Sequence, residues 1–230
     1  MFVFDLHVHT AGISPCGKVP AEEMAAGYAD AGFDGICITN HYNRDSIGRV
    51  TGPTWEDTAR NYLAPFERAR EVGASRGLTV LFGMEVQPLE RFGDNEYLIY
   101  GLAPEFVIPH PRLYELSVPA LAELVHGSGG VIYQSHPYRD KMKPDYVELL
   151  DGIEAFNGHP RAVSRNLTAL DAARANGWGM IAGSDCHRLG EGGLGGVAFR
   201  TLPASERELA DQLREKRYAL LVSVEERAFS

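Results

Sequence analysis

Seven side chains that could bind a metal ion each lie just beyond a short apolar run of the sequence. The first run, residues 2–6, leads into His7 and His9. Because side chains alternate along a strand, these two histidines would project from the same side and reach one cation. The other five candidates follow later apolar runs and are His41, Glu85, His136, Asp185 and His187. Imidazole nitrogens combined with carboxylate oxygens suit Zn²⁺, Mn²⁺ or Fe²⁺ and argue against Ca²⁺, which prefers an all-oxygen shell.

The segments around these residues alternate between strand-like and helix-like composition. The strand-like runs are residues 2–6, 35–40, 78–83, 97–102, 131–135, 152–157 and 179–184, and the helix-like segments are 20–31, 54–76, 118–127 and 161–176. Strand, helix, strand repeated along a chain predicts a parallel sheet with helices outside it. When such a sheet closes into a barrel, the loops after different strands converge at one mouth. We therefore expect an α/β barrel whose mouth collects the candidate ligands.

Length and composition agree with one barrel-sized domain. The chain has 230 residues, of which 44% are hydrophobic, and no linker, repeat or low-complexity tract divides it. The opening residues enter a strand at once without a basic stretch, and no apolar run approaches the length of a membrane span. We expect a cytoplasmic protein with no membrane partner.

The number of cysteines and the net charge argue against further classes of protein. Three cysteines are an odd number and argue against a disulfide framework, and Cys37, inside an apolar run, is expected in the core. The net charge of −9 and pI near 5.4 disfavour broad electrostatic attraction to nucleic acids or membranes. A local basic pocket is still compatible with this balance.

The order of the motifs resembles a known family. The sequence reads DLHVHT at 5–10, ITNH at 38–41, GME at 83–85, SHP at 135–137 and GSDCH at 183–187. This series resembles the polymerase and histidinol phosphatase (PHP) family of metal-dependent phosphoesterases. It runs through nearly the whole chain, so a single PHP domain over residues 1–230 is expected.

The resemblance implies a distorted seven-stranded α/β barrel with two or three divalent metals that hydrolyses a phosphate ester. By position, the first metal would be bound by His7, His9, Glu85 and Asp185. Glu85 would bridge to a second metal that also takes His136. A third position would use His41 and His187.

The sequence departs from the family pattern at three points. Asn40 precedes His41 where many members have aspartate, and the run at 97–102 carries no histidine where several relatives have a ligand. Some three-metal members place a histidine shortly after the opening pair, and the nearest match here is Cys16. Residues 14–17 have turn composition, so we expect the Cys16 thiol to be buried without a ligand role, or to complete a third position that is weak or partly filled.

A hydrolytic mechanism would use a hydroxide activated by paired cations, with no protein nucleophile. His187 or His41 would protonate the leaving group. Arg139, Lys141 and Arg188, with Lys18 as a weaker choice, are positioned to contact the substrate phosphate. Glu154 and Asn157 end another strand at the same mouth and would support the ligands or contact substrate. The expected substrate is a small phosphorylated molecule, a nucleotide or an oligonucleotide end.

Three histidines are expected to be structural or exposed: His110, His126 and His159, the last of which lies close to the mouth. Two other functions compete with the phosphoesterase. An amidohydrolase-like enzyme acting on carbon–nitrogen bonds is disfavoured because Glu85 stands where those barrels generally use a lysine to bridge the metals. A non-catalytic metal-bound PHP domain would need a separate polymerase partner.

Overall fold

One sheet of ten strands organises the chain, which is described here from a computed structural model covering residues 1–89 and 94–222. The strands are β1 (Phe2–Val8), β2 (Gly35–Ile38), β3 (His41–Tyr42), β4 (Thr79–Val86), β5 (Tyr97–Tyr100), β6 (Val131–Gln134), β7 (Gly152–Asn157), β8 (Met180–Gly183), β9 (Gly195–Phe199) and β10 (Tyr218–Val222). The α-helices of the described residues are α1 (Ala21–Asp30), α2 (Arg44–Arg49), α3 (Trp55–Arg76), α4 (Val118–Gly127), α5 (Asn166–Asn176) and α6 (Glu206–Arg214).

Seven of the strands form the barrel, in the order β1-β2-β4-β5-β6-β7-β8. The ring closes where Val8 bridges Cys186, and the His9 amide donates to the Cys186 carbonyl at 2.9 Å. Strand β3 pairs with β4, while β9 and β10 extend the sheet beyond β1 as antiparallel strands. This arrangement confirms the distorted α/β barrel, although the sheet has ten strands among the described residues rather than the seven expected.

Strand β5 runs antiparallel to both of its neighbours, so the expectation of a parallel sheet is wrong at this position. Ten residues separate the end of β4 from the start of β5. A parallel crossover needs a dozen residues or more, whereas a reversal needs only a short connection. The reversal places the amino end of β5 at the mouth, beside the carboxyl ends of its neighbours.

The helices begin and end where local chemistry dictates. Helix α3 starts with a capping box between Thr54 and Asp57 and ends at Gly77, whose φ of 76° is the left-handed value that glycine adopts at little cost. Helix α5 begins at Asn166, five residues later than the predicted start at 161. The Asn166 side chain bonds both the amide and the carbonyl of Asn157, and this exchange holds the segment before the helix against the end of β7.

Apolar side chains from both layers form the core. Met24 of α1, Phe66 of α3 and Val125 of α4 are buried against the sheet. Cys37 is fully buried in a second cluster that includes Leu209 of α6, as expected from its apolar run. Among the described residues, no helix is long and apolar enough to cross a membrane.

Candidate metal centre

His7, His9 and Asp185 form the first group of the site and are all buried. The two Nε2 atoms of the histidines are 3.0 Å apart, and Asp185 Oδ1 lies 3.6 Å from His7 and 3.3 Å from His9. His7 in β1 and His9 directly after it reach the same group, as predicted from the alternation of side chains. Asp185 has a φ of 54°, a left-handed value that is costly for this residue type and common at functional sites.

Glu85 lies at the centre of the cluster with 1% of its side chain exposed. Its Oε1 is 3.4 Å from His7 Nε2 and 3.2 Å from His136 Nε2. Its Oε2 is 3.3 Å from His9 Nε2 and 2.9 Å from His41 Nδ1. Within the part of the chain described, neither oxygen takes part in a well-formed hydrogen bond. Burial opposes ionisation, but the charges of His7 and His41 outweigh it and hold the pKa of Glu85 well below its usual value.

The spacing of these donor atoms fits a shared divalent cation. Donors bound at 2.0–2.2 Å in tetrahedral geometry lie roughly 3.3–3.5 Å from one another. Most of the nitrogen-to-oxygen distances around Glu85 and Asp185 are 3.2–3.6 Å, which is long for a hydrogen bond and close to this value. Buried carboxylate oxygens without donors are also costly unless a cation or another partner compensates them. The residues present therefore fit the metals that the PHP resemblance implies.

Glu96 joins the site although the sequence analysis did not select it. Its Oε1 lies 3.3 Å from His41 Nδ1, and its Oε2 lies 3.6 Å from His136 Nε2. Burial, reinforced by the charge of Glu85, raises the pKa of Glu96. Glu96 directly precedes β5, whereas the predicted ligands lie at or beyond the carboxyl ends of strands, and sequence reasoning therefore missed it. An acidic residue before a strand that reverses direction is the sequence feature that identifies it.

The structure brings His41 and His187 together around Cys16. The Cys16 sulfur is 3.3 Å from His41 Nε2 and 2.9 Å from His187 Nε2, and the thiol is only partly buried. His9 completes this group at slightly longer range. These contacts agree with the expectation that Cys16 completes a third position, and whether the thiol binds metal stays a prediction.

Glu154 orients the ligands from behind. Its Oε1 lies 2.9 Å from His7 Nδ1, while its Oε2 accepts hydrogen bonds from the His136 amide at 3.0 Å and from Asn157 Nδ2 at 2.9 Å. A carboxylate on the far nitrogen of a histidine fixes the ring so that its other nitrogen faces the metal. The supporting role expected for Glu154 and Asn157 matches these contacts.

Asp5 is a second supporting carboxylate that the sequence analysis did not select. Its Oδ1 accepts from the amides of His7 at 3.1 Å and Ser184 at 2.9 Å, and its Oδ2 accepts from the Tyr28 hydroxyl at 2.7 Å. Burial raises the pKa of Asp5. These bonds tie β1 to the end of β8 and so hold two ligand-bearing segments together. A charged residue in the middle of an apolar run was the available clue.

Arg139 is the predicted basic residue that reaches the cluster. Its Nη2 donates to Asp185 Oδ2 at 2.7 Å and to Asn157 Oδ1 at 2.9 Å. Its Nε is buried and has no hydrogen-bond partner among the described residues. The side chains of Lys18, Lys141 and Arg188 are exposed, and their role in binding phosphate stays a prediction.

The remaining histidines divide into two kinds. His110 lies over the Phe106 ring, and His126 contacts Asp151 at 2.9 Å, so both are structural as expected. His159 instead lies at the rim of the site, with its ring 5.1 Å from that of His187. Burial lowers the pKa of His159 to about 4 and, together with the charge of His9, lowers the pKa of His187 to about 3. A neutral His187 is suited to binding metal. The role of His187 or His41 as the proton donor stays a prediction.

An α/β barrel with histidines and carboxylates at its mouth is the architecture of metal-dependent hydrolases. Residues 5–184 match the PHP domain model, and residues 163–218 match a PHP-associated model. The chain belongs to the PHP domain family. No curated protein sequence matches it significantly.

Solved structures with the same fold share little sequence with this chain. A two-domain protein from Bacteroides vulgatus, containing a predicted PHP-like metal-dependent phosphoesterase, is 18% identical with a TM-score of 0.70. The match covers 96% of this chain but 64% of that one, so this chain spans less than two thirds of its length. PsfC from Pseudomonas syringae is 16% identical with a TM-score of 0.69, covering 97% and 92% of the two chains. An amidohydrolase from Chromobacterium violaceum with bound sulfate and no metal is 15% identical with a TM-score of 0.56, covering 94% and 97%.

Proposed function

We propose that this protein is a metal-dependent phosphoesterase that hydrolyses a phosphate ester with two or three divalent cations. The observation that carries the proposal is the environment of Glu85. Four imidazole nitrogens lie 2.9–3.4 Å from its two buried oxygens, which lack hydrogen bonds within the described residues. This pattern supports a carboxylate that bridges two cations.

The chain's own residues divide the work between holding metal and holding substrate. His7, His9 and Asp185 would hold one cation, and His136 with Glu96 would hold another that shares Glu85. When bound, paired cations activate a water molecule and offset the negative charge of the phosphate. Arg139 would orient the phosphate, because its guanidinium group contacts Asp185 at 2.7 Å and so lies beside the metal ligands.

The donor set supports zinc, manganese or iron as the cofactor. Nitrogen donors predominate near β1, and carboxylate oxygens predominate near β5. The site as a whole therefore favours neither a soft metal ion that prefers sulfur nor a hard one that prefers oxygen. Which of the three metals is bound in the cell then depends on their availability.

The substrate we propose is a small phosphorylated molecule, or a nucleotide or oligonucleotide end. A cavity of about 650 Å³ lies beside α2, lined in part by Asn43, Arg44 and Gln87. Asn43 and Gln87 each lie two residues beyond a residue of the cluster, His41 and Glu85, on neighbouring strands. Because alternate residues of a strand share a face, we infer that this cavity takes the part of the substrate that leaves.

A carbon–nitrogen hydrolase is the competing function, because one neighbour of the same fold is described as an amidohydrolase. Two features of this chain favour the phosphoesterase. Glu85 takes the bridging position, where amidohydrolase-like barrels generally use a lysine. Arg139 also places a guanidinium in the mouth, and its planar fork matches the oxygens of a phosphate.

The test compares substrates and metals on the same preparation. The purified chain is stripped with a chelator, verified as metal-free, and reconstituted with Zn²⁺, Mn²⁺ or Fe²⁺. It is then assayed on phosphomonoesters, phosphodiesters and cyclic amides. We expect phosphate release that disappears on stripping and returns on reconstitution. Undiminished turnover by the metal-free chain, or turnover confined to the amides, would overturn the proposal.

A further inference from the structure

Cys16, His41 and His187 form a compact group with one sulfur and two nitrogen donors, which we call the sulfur group. The sulfur lies 3.3 Å from His41 Nε2 and 2.9 Å from His187 Nε2. Around a tetrahedral zinc ion, with a Zn–S distance of about 2.3 Å and a Zn–N distance of about 2.0–2.1 Å, sulfur and nitrogen are roughly 3.5 Å apart. If the sulfur and nitrogen atoms moved apart by a few tenths of an ångström to roughly half an ångström, the group would therefore admit a cation.

The His187 ring is already oriented for this role. Its Nδ1 donates a hydrogen bond to the Asp185 carbonyl at 2.8 Å, and this bond fixes the tautomer. The lone pair of Nε2 then faces the Cys16 sulfur. A histidine held by a backbone carbonyl in this way is typical of metal ligands.

His41 is also oriented through its Nδ1 atom. Its Nδ1 lies 2.9 Å from Glu85 Oε2, and its Nε2 faces Cys16. If Nε2 binds a cation of the sulfur group, Nδ1 carries the proton and Glu85 becomes the supporting carboxylate. His9 lies close by, but its Nε2 faces His7 and Asp185 and so serves the first group.

The loop that carries Cys16 is braced on both sides. The Gly17 amide donates to the Ser14 carbonyl at 3.1 Å, and the Lys18 amide donates to the His187 carbonyl at 3.0 Å. A side chain at Gly17 would collide with the Thr10 carbonyl, 2.4 Å from an added Cβ, so glycine permits the close approach. The thiol is thus held beside His187 by backbone contacts on either side of it.

We propose that the sulfur group is a zinc-selective position, in which the Cys16 thiolate, His41 and His187 bind one cation and leave the fourth coordination position open to the mouth. Thiolate ligands favour zinc over manganese, whereas the nitrogen and oxygen groups accept either metal. Binding releases the thiol proton to solvent. Three protein ligands with an open fourth position are typical of catalytic rather than structural zinc. This inference deepens the proposed function, but metal binding tests it without turnover.

Cobalt(II) provides the direct readout, because it replaces zinc and gives a near-ultraviolet charge-transfer band when a thiolate binds it. The stripped chain is titrated with Co²⁺, and Cys16→Ser and Cys16→His are compared with Cys37→Ala. Cys37 lies fully buried in the core, away from the site, and controls for the loss of a cysteine. Circular dichroism checks that each variant folds.

We expect the band in the parent chain and in Cys37→Ala, and its loss in both Cys16 variants. Cys16→Ser should weaken the binding of one equivalent of zinc by at least about tenfold. Cys16→His should keep that equivalent without the band. Bound zinc should also protect Cys16 from iodoacetamide, as read by peptide mapping.

Two failures of this test have different meanings. If Co²⁺ binds to full stoichiometry without a sulfur band, or if Cys16→Ser retains the parent band, the sulfur group is not a thiolate site and the proposed phosphoesterase function stands. If no divalent cation binds to the folded parent chain, both the zinc-selective position and the proposed function are overturned.

Discussion

Exchange of Glu85 for glutamine tests the centre of the site with almost no change of shape. Glutamine keeps the size of the side chain but removes the negative charge that lies between His7, His136, His41 and His9. We expect Glu85→Gln to fold, to lose bound metal and to lose activity together. The thermal stability of the chain with and without metal makes the effect measurable even before a substrate is known.

The size of the effect follows from linkage between binding and folding. A cation at 100 times its Kd stabilises the native chain by about 2.7 kcal/mol for each filled position. For a chain of this size, 1 kcal/mol shifts Tm by roughly 2–4 °C, so each position adds about 5–11 °C. Glu85 would serve both proposed positions, that of His7, His9 and Asp185 and that of His136 and Glu96. Loss of both would reduce the metal-induced rise in Tm by roughly 11–22 °C.

Calorimetry with and without chelator, together with metal analysis of the same samples, measures this difference. The matched control is Glu67→Gln, which makes the same charge change at an exposed position of α3. We expect Glu67→Gln to keep the full metal-induced rise. If Glu85→Gln also keeps the parent metal content and the parent rise in Tm, Glu85 is not a metal ligand and the reasoning from its buried oxygens fails.

Three further changes probe the residues around Glu85. Glu154→Gln replaces the carboxylate that contacts His7 Nδ1 with a neutral amide, so metal affinity should fall about 10–100-fold. Activity should return at high metal concentration, which a titration of turnover against metal would show. Glu96→Gln should remove one equivalent of bound metal in elemental analysis. Asp94→Asn, a change at an exposed neighbouring residue, should leave the metal content unchanged. Equal metal content in both variants would exclude Glu96 as a ligand. Arg139→Gln should raise KM for a phosphomonoester and weaken inhibition by inorganic phosphate, and unchanged values of both would show that Arg139 does not contact the substrate.

The ligands at the carboxyl ends of strands could be predicted from the sequence because two local rules agree. Apolar runs mark buried strands, and the carboxyl ends of parallel strands meet at one edge. Both rules apply to His7, His9, Glu85 and Asp185, and the structure brings these four together. Their convergence needs no knowledge of the loops, which is why residues far apart in sequence could be grouped correctly.

The residues that the sequence analysis missed, misplaced or left open depend on loop geometry or on a reversal of direction. Glu96 reaches the site because β5 runs antiparallel to β4. The length of the connection before β5 does not by itself show that the strand reverses direction. Cys16 and His159 lie on loops whose paths are set by contacts such as the Lys18 amide to the His187 carbonyl. No periodic pattern encodes such contacts, so turn composition alone left the role of Cys16 open.

The charges of the site connect the number of cations to the kind of substrate. Glu85, Glu96 and Asp185 carry three negative charges among them, and Arg139 and Glu154 offset one another. Cys16 adds a fourth negative charge only when metal binding releases its thiol proton. Two divalent cations alone would leave an excess of one positive charge, which attracts an anion only weakly in a chain whose net charge is −9. A third leaves an excess of two positive charges, which matches a phosphomonoester that carries about −1.5 to −2 at neutral pH. Occupancy of the sulfur group would therefore favour the binding of a dianionic phosphate at this mouth, whereas the two nitrogen and oxygen positions alone would fit a singly charged substrate better.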